Sequence, residues 1–322
     1  MISSKKGDKH MIVFGPVPSR RLGQSLGINN IPPKRCTYSC VYCQLGKTTD
    51  MQVERREFYV PDDILEAARS KLSQAMNKKE TVDYITFVAD GEPTLDIHLD
   101  REIERLQSLG IKIAVITNTS LIDHPEVRET LMKADWLSLK MDAVQPDIWR
   151  KIDRPHKALN LSAILDGALE FAAQFNGTLV TETMLIRNIN DGKSCLEKTA
   201  AFISRLDPAI SYLSIPTRPP AVKTVLPPDE KGIAQAYQIF SRHIRHVEYL
   251  IGYEGNAFAF TGDAEVDLLS ITAVHPMREE AVEAFLEKAD ADWKLVQRLI
   301  DEKKMIRLSF DNHDFYMRKL HF

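Results

Sequence analysis

Three of the four cysteines in this 322-residue chain, Cys36, Cys40 and Cys43, fall within eight residues of one another. In Cys36-Thr37-Tyr38-Ser39-Cys40-Val41-Tyr42-Cys43 that spacing places three thiolates on one tight loop and provides no fourth ligand nearby. Pairing as disulfides would leave one thiol over, so bound metal is the better reading. Structural zinc takes four protein ligands, whereas a cubane [4Fe–4S] cluster can keep one iron without a protein ligand, open to substrate or cofactor. A zinc site closed by the distant Cys195 or by a histidine is the alternative. The nine histidines show no ligand-spaced pair, and His98, His124 and His275 read as surface or helix-cap residues. Neither a Ser-His-Asp arrangement nor a phosphate-cradling glycine loop is present.

A rhythm of helix and strand follows the cysteines and must position them. Apolar residues at Ile64, Leu65, Ala68, Leu72 and Met76, after Pro61-Asp62-Asp63, predict a helix over 62–76, and Tyr84 to Val88 predict a strand. The unit recurs, with helices over 99–109, 125–134, 161–175 and 195–206 and strands over 111–117, 136–141, 178–185 and 210–215. A last helix over 229–245 and a strand-like 247–251 follow the Pro-rich loop 216–228. With a strand near Ile12 or Ser25 opening the series, about six parallel strands result, as a partial barrel or a doubly wound sheet. In either case chemistry belongs at the strands' C-terminal ends. There the chain turns polar: Asp90-Gly91-Glu92, Asn118, Lys140 with Asp142, and Glu182.

Near residue 260 the pattern changes to three short helices over 265–273, 278–289 and 292–304, then a hairpin over 305–310 and 315–320, which predicts a winged-helix-like unit. The expected division is a 1–260 α/β domain and a 261–322 α+β domain. From residue 264 onward nine basic side chains stand against twelve acidic ones, and the whole chain carries a net charge of −3. Nucleic acid is therefore unsupported by charge. Apolar residues at 44% and charged residues at 27% describe a folded protein, and no run approaches a membrane span. With no export signal at the start, a cytoplasmic protein is expected.

Cys-x3-Cys-x2-Cys with an aromatic residue, Tyr42, before the last cysteine resembles the signature of the radical S-adenosylmethionine (SAM) enzymes. That resemblance implies a (βα)6 partial TIM barrel and a [4Fe–4S] cluster on Cys36, Cys40 and Cys43. The open iron would chelate the amino and carboxylate groups of SAM, and one-electron reduction would yield methionine and a 5′-deoxyadenosyl radical that abstracts hydrogen from substrate. It extends from about residue 14 to 255. Residues 15–23 and 25–28 look like the subgroup of wybosine-synthesis-like iron–sulfur oxidoreductases. Asp90-Gly91-Glu92-Pro93-Thr94-Leu95 is similar to the family's GGE segment, with Asp in place of the first Gly, which assigns Gly91 and Glu92 to the cofactor's amino group. By the same resemblance Asn118 and Asp142 contact its carboxylate or ribose, Lys140 contacts cofactor or substrate, Glu182 or Thr183 stands near the ribose, and residues 214–218 line the adenine pocket. Tyr42 packs on the adenine or shields the cluster. The alternatives are a helix N-cap for Asn118, a Lys140–Asp142 ion pair, and solvated helix-end charge for the basic run 150–156, otherwise a site for an anionic substrate. Gly252-Tyr253-Glu254-Gly255 would close the barrel's edge.

The resemblance implies an electron donor such as flavodoxin or ferredoxin. The expected substrate is a small molecule, peptide or protein. Modification of tRNA related to wybosine synthesis is one alternative, but with one spare cysteine this chain cannot build the second cluster of those enzymes. An iron–sulfur sensor with a DNA-binding tail is the non-enzymatic one.

Overall fold

The computed structural model describes residues 12–251, 258–310 and 312–319. Strands β1 (Val13–Ser19) and β2 (Gly23–Ile28) form an antiparallel hairpin; β3 (Arg35–Cys36) and β4 (Asp50–Met51) form a short parallel pair flanking the cysteine loop. There follow α1 (Pro61–Asn77), β5 (Tyr84–Phe87), α2 (Leu99–Gln107), β6 (Lys112–Thr117), α3 (Pro125–Leu131), β7 (Trp136–Lys140), α4 (Pro146–Ile152) and α5 (Leu161–Ala172). The alternation ends with β8 (Thr178–Met184), α6 (Lys193–Leu206), β9 (Ile210–Ser214), α7 (Glu230–His243) and β10 (Val247–Leu250). Proline at the first helical turn starts α1, α3 and α4, where its missing N–H leaves no bond unmade. The carboxylate of Asp229 caps α7 and the amide of Asn160 caps α5.

One sheet takes the order β1-β2-β5-β6-β7-β8-β9-β10, and every pairing from β2 to β10 is parallel. Among the described residues the parallel strands number seven rather than the expected six, because 247–250 pairs along β9 as a further strand at the sheet's edge. Strand order never reverses, so the doubly wound alternative falls: that fold requires a switch point. Ser25, Thr86, Ile116, Lys140, Glu182, Ser214 and Leu250, one from each parallel strand, line a single cavity, so the sheet curls around it.

Period-two alternation sorts the two faces. Leu137 and Leu139 of β7, with Ile113 and Val115 of β6, pack outward against the helices. Ala114, Trp136, Val180 and Tyr212 point inward and plug the barrel floor. The inner face is thus apolar at the strand starts and polar at their C-terminal ends, where Lys140, Glu182 and Ser214 stand.

Beyond residue 258 come α8 (Ala264–Val274), β11 (Met277–Arg278), α9 (Glu279–Lys288), α10 (Lys294–Asp301), β12 (Met305–Phe310) and β13 (His313–Arg318), with an antiparallel sheet in the order β11-β13-β12. Phe285, Val296, Leu299 and Met305 build its core, which takes in Phe14 and Val17 of β1. A buried ion pair adds a polar tie: Lys71 of α1 donates to Asp267 of α8 and, at 2.7 Å, to Thr261. Both residues are nearly inaccessible, at 8% and 1% exposure, so removing one partner strands the other's charge. Lys71→Met is expected to destabilise the protein by about 3–5 kcal/mol, and the apolar pair Lys71→Met/Asp267→Leu to recover most of that. Equal melting-temperature losses in both variants would contradict it.

Among the described residues, no helix is long and apolar enough to cross a membrane. Gly252-Tyr253-Glu254-Gly255, expected to close the barrel's edge, lies outside them.

Candidate active site

Cys36, Cys40 and Cys43 all line the cavity, which measures about 380 Å³, within the range of small-ligand sites. Their loop is docked by backbone hydrogen bonds on one side. Ser39 N donates to Asp153 O at 3.0 Å, Val41 N to Ile152 O at 2.9 Å, and His156 N to Thr37 O at 2.9 Å. The run 150–156 is therefore the strip on which the cysteine loop is docked. None of its basic side chains reaches the cavity wall, contrary to a role in gripping an anionic substrate.

On the loop's other side, Lys34 N donates to Asp90 O at 3.0 Å and Glu92 N to Arg35 O at 3.3 Å. Gly91 sits between these bonds so close to the chain that a Cβ there would lie 1.7 Å from Arg35 O. Its residue type is a packing requirement, and that packing sets where Cys36 stands.

Burial, reinforced by Glu92, pushes the Cys36 thiol up to about 12. Burial and then Asp153 raise Cys40 well above its usual range; burial raises Cys43, with the Leu45 N–H and the Lys34 ammonium opposing. A cationic centre bound among the three would favour their thiolate forms. Among the described residues no group of three or more His, Cys, Asp or Glu side chains is set to hold a single metal ion. Cys195 is buried in the helix-side core. The zinc alternative thereby loses its fourth cysteine, while three separated thiols on one cavity suit a wider cluster.

Glu92 is 1% exposed, and its carboxylate is consumed within the protein. Oε1 accepts from Thr94 N (3.1 Å), Thr94 Oγ1 (2.6 Å) and Thr117 Oγ1 (2.6 Å), and Oε2 from Asn118 N (2.7 Å). It joins the ends of β5 and β6. Asn118 is turned toward the cysteines: Nδ2 reaches Thr37 Oγ1 at 2.8 Å and Cys36 Sγ at 3.4 Å, while Oδ1 accepts from Ser120 N at 3.0 Å. It does not cap α3, whose N-cap position is His124.

Asp90 and Asn29 form a reciprocal pair, each bond 2.8 Å, that leaves Asp90 Oδ1 without a hydrogen-bond partner. Burial raises the Asp90 carboxyl to about 7, against the lowering influence of Asn29, Lys34 and Arg318. A carboxyl raised from 3.8 to about 7 takes up a proton on folding, so its contribution falls as pH rises through that window. Asp90→Asn keeps both bonds to Asn29 and is expected to raise the melting temperature of the cluster-free protein at pH 8 more than at pH 5. A pH-independent change would show that this carboxylate does not carry the effect.

Lys140 pairs with Glu182 at 2.6 Å, not with Asp142. Arg21 holds the second oxygen of Glu182, and Ser214 Oγ donates to the first at 2.9 Å. Burial opposes the charge of Glu182, but Lys140 and Arg21 outweigh it and keep its carboxyl far below the usual range. Asp142 is 3% exposed and stands behind the wall, not on it: it accepts from the Tyr42 hydroxyl and, at 2.7 Å, from Met184 N. Burial first, then the neighbouring Asp142 carboxylate, raises Asp153 well above the usual range. Tyr42 lines the cavity with Lys140 Nζ 5.1 Å from its ring centroid. Thr183 is buried and turned away, donating to Met141 O at 2.8 Å.

At the mouth, Arg218 donates to Gln44 Oε1 at 2.6 Å and contacts the His275 ring at 2.9 Å. His275 ends α8 as a cap, but it is 7% exposed and lines the cavity, which corrects its surface assignment. Arg21 and Lys34 are among the cavity residues for which the sequence suggested no role, and His275 was not expected at the cavity. The double arginine Arg20-Arg21 before β2 was the available signal for the first; nothing local marks His275.

The cavity and its three thiols lie at the C-terminal mouth of a parallel barrel. Residues 30–203 match the model of the Radical SAM superfamily, and the chain belongs to that superfamily, whose cofactors are a [4Fe–4S] cluster and SAM. It is 45% identical over 311 residues to the UPF0026 protein of Methanocaldococcus jannaschii, covering 96% of each chain. It is also 36% identical over 219 residues to a UPF0026 protein of Helicobacter pylori, covering 66% of this chain and 68% of that one. Among solved structures, TYW1 with a bound lysine–pyruvate adduct is similar in fold, with a TM-score of 0.53 and 18% identity over 70% of this chain and 76% of that one. A radical SAM methyltransferase from Sphaerobacter thermophilus has a TM-score of 0.51 and 14% identity over 70% of this chain and 66% of that one.

Proposed function

We propose that Cys36, Cys40 and Cys43 hold a [4Fe–4S] cluster at which SAM is reductively cleaved, and that the resulting radical abstracts hydrogen from a small molecule, peptide or protein segment admitted at the mouth. The observation that carries this is one cavity lined by all three thiols, the Gly91–Glu92 segment and the Lys140–Glu182–Arg21 cluster. The cluster and cofactor together supply the electron transfer and the radical. Lys140, Arg21 and Glu182 offer both signs of charge to a zwitterionic cofactor. Tyr42 presents a ring face, held by Asp142 from behind. Gly91 and Glu92 act by fixing the backbone of 34–36 and of 118. Incubation with SAM under anaerobic reduction tests the reading: formation of 5′-deoxyadenosine supports it, and none from a fully loaded protein contradicts it.

A division near residue 260 with a winged-helix-like second unit is part of the same proposal, supported by the order α8-β11-α9-α10-β12-β13. That unit places His275 at the mouth, which favours a covering role over a nucleic-acid one. Two of the four basic side chains over 292–304 are tied up by acidic neighbours: Arg298 pairs with Glu265 at 2.6 Å and Lys304 with Glu302 at 2.7 Å. We expect tRNA and DNA to be retained weakly at low salt and released as salt rises; tight retention at 150–200 mM salt would favour the nucleic-acid alternatives. A flavodoxin or ferredoxin is the proposed electron donor. Four free cysteines suit the cytoplasm.

A further inference from the structure

The three cysteine sulfurs differ in what surrounds them. Cys40 Sγ lies 3.5 Å from Asp153 Oδ1, a carboxylate neighbour, and Cys43 meets a single backbone donor, from Leu45. Cys36 is met by three donors: the backbone N–H of Tyr38, the hydroxyl of Thr37, and Asn118 Nδ2 at 3.4 Å.

Asn118 is fixed in this pose from every side. Its backbone N–H is held by Glu92, and its carbonyl accepts from Ser120 N, which settles which end of the amide carries the hydrogens. Of the two amide hydrogens, one goes to Thr37 Oγ1 and the other to the sulfur. Ser120 Oγ also donates to Thr37 Oγ1, at 2.7 Å, so the Thr37 hydroxyl accepts two bonds and has its own proton left for Cys36. A buried network satisfied this completely is rigid, and its terminal atom is a cluster ligand.

We propose that Asn118 is a positioning residue that sets the cluster's reduction potential, by donating to Cys36 Sγ directly and by orienting the Thr37 hydroxyl onto the same sulfur. This rests on Cys36 being a cluster ligand, as proposed above. Reduction adds negative charge to the cluster and its thiolates, and a donor aimed at the sulfur stabilises that charge, so the network makes the cluster easier to reduce. The residue thereby eases electron entry from a weak donor, a role separate from contact with SAM.

The test is a redox titration of the reconstituted protein, followed by the electron paramagnetic resonance (EPR) signal of the reduced cluster, with iron content measured on each sample. Asn118→Ala removes the donor. Asn118→Asp keeps the acceptor for Ser120 and replaces the donor with oxygen, which covers the case in which the alanine variant loads poorly. Both are expected to shift the potential downward, with the reduced-to-oxidised ratio at fixed poise falling about tenfold, equivalent to about 59 mV for one electron. Thr117→Val, which removes the Thr117 Oγ1 bonds to Glu92 and from Thr119 N but keeps all three donors to Cys36, is expected to leave the potential in place. Full iron content with an unshifted potential in both Asn118 variants overturns the inference and leaves the cluster assignment standing. So does an equal shift in Thr117→Val, or an unshifted potential with a changed SAM dissociation constant, which would make Asn118 a cofactor contact. A wild-type protein that binds no cluster at these cysteines would instead remove the reading beneath it.

Discussion

Cys40→Ala protein, reconstituted anaerobically with iron and sulfide and given SAM and reductant, is expected to form no 5′-deoxyadenosine, while Cys195→Ala forms it as the wild type does. The contrast follows from where the two thiols stand. Cys40 lines the cavity on a loop pinned at both of its flanks by Ile152 and Asp153 carbonyls, and two remaining thiols cannot keep a cubane with a single open iron. Cys195 is in the first turn of α6, buried in the helix-side core and not among the cavity residues. Activity persisting in Cys40→Ala at matched iron content would remove that residue from the ligand set. Loss in Cys195→Ala with its fold intact would add a ligand the geometry does not provide.

Gly91→Ala is expected to be nearly as damaging, for a reason that involves no chemistry. The added methyl would overlap Arg35 O at 1.7 Å and Arg35 C at 2.8 Å, and both are backbone atoms with no rotamer to change. Relief requires the 90–92 and 34–36 segments to part, which breaks the Glu92 N to Arg35 O bond and moves the Cys36 sulfur. Iron content per chain after reconstitution should fall at least tenfold, with a lowered melting temperature. A variant with full iron content and wild-type turnover would show that this close approach does not position the ligand.

Much of the barrel was legible in the chain because its strands and longer helices carry strong periodicity. The helices predicted over 62–76 and 195–206 lie within one to two residues of α1 and α6. What escaped was short or set by distant partners. The seven-residue α4 is less than two full turns of amphipathic pattern after the 136–141 strand, and β3, β4 and β11 have two residues each, too few to alternate. The antiparallel β1 pairs with β2 across a short turn, but the apolar face it shares with α8 is supplied by residues far along the chain.

At the site, the cysteines announced themselves by type and spacing, and the polar strand ends by their break from an apolar run. Partner choice did not. Lys140 and Asp142 are two apart on one chain, which invited pairing, yet β7 ends at Lys140, which faces the cavity and Glu182, and the chain beyond the strand end carries Asp142 onto Tyr42. Glu92, expected to grip the cofactor, accepts from Thr94, Thr117 and Asn118 N, and the Asn118 amide, expected there too, donates to the cysteine loop. Sequence identifies groups able to do chemistry; which of them face the same empty space depends on how the sheet curls.

The central claim is that three thiols hold a cluster whose fourth iron is open to SAM. Its most direct measurement is the EPR spectrum of the reduced, reconstituted protein before and after addition of SAM. The account predicts a [4Fe–4S]¹⁺ signal whose g-values change on SAM addition. A cluster signal identical with and without SAM, or a protein that binds zinc in place of iron and gives no such signal, would contradict it.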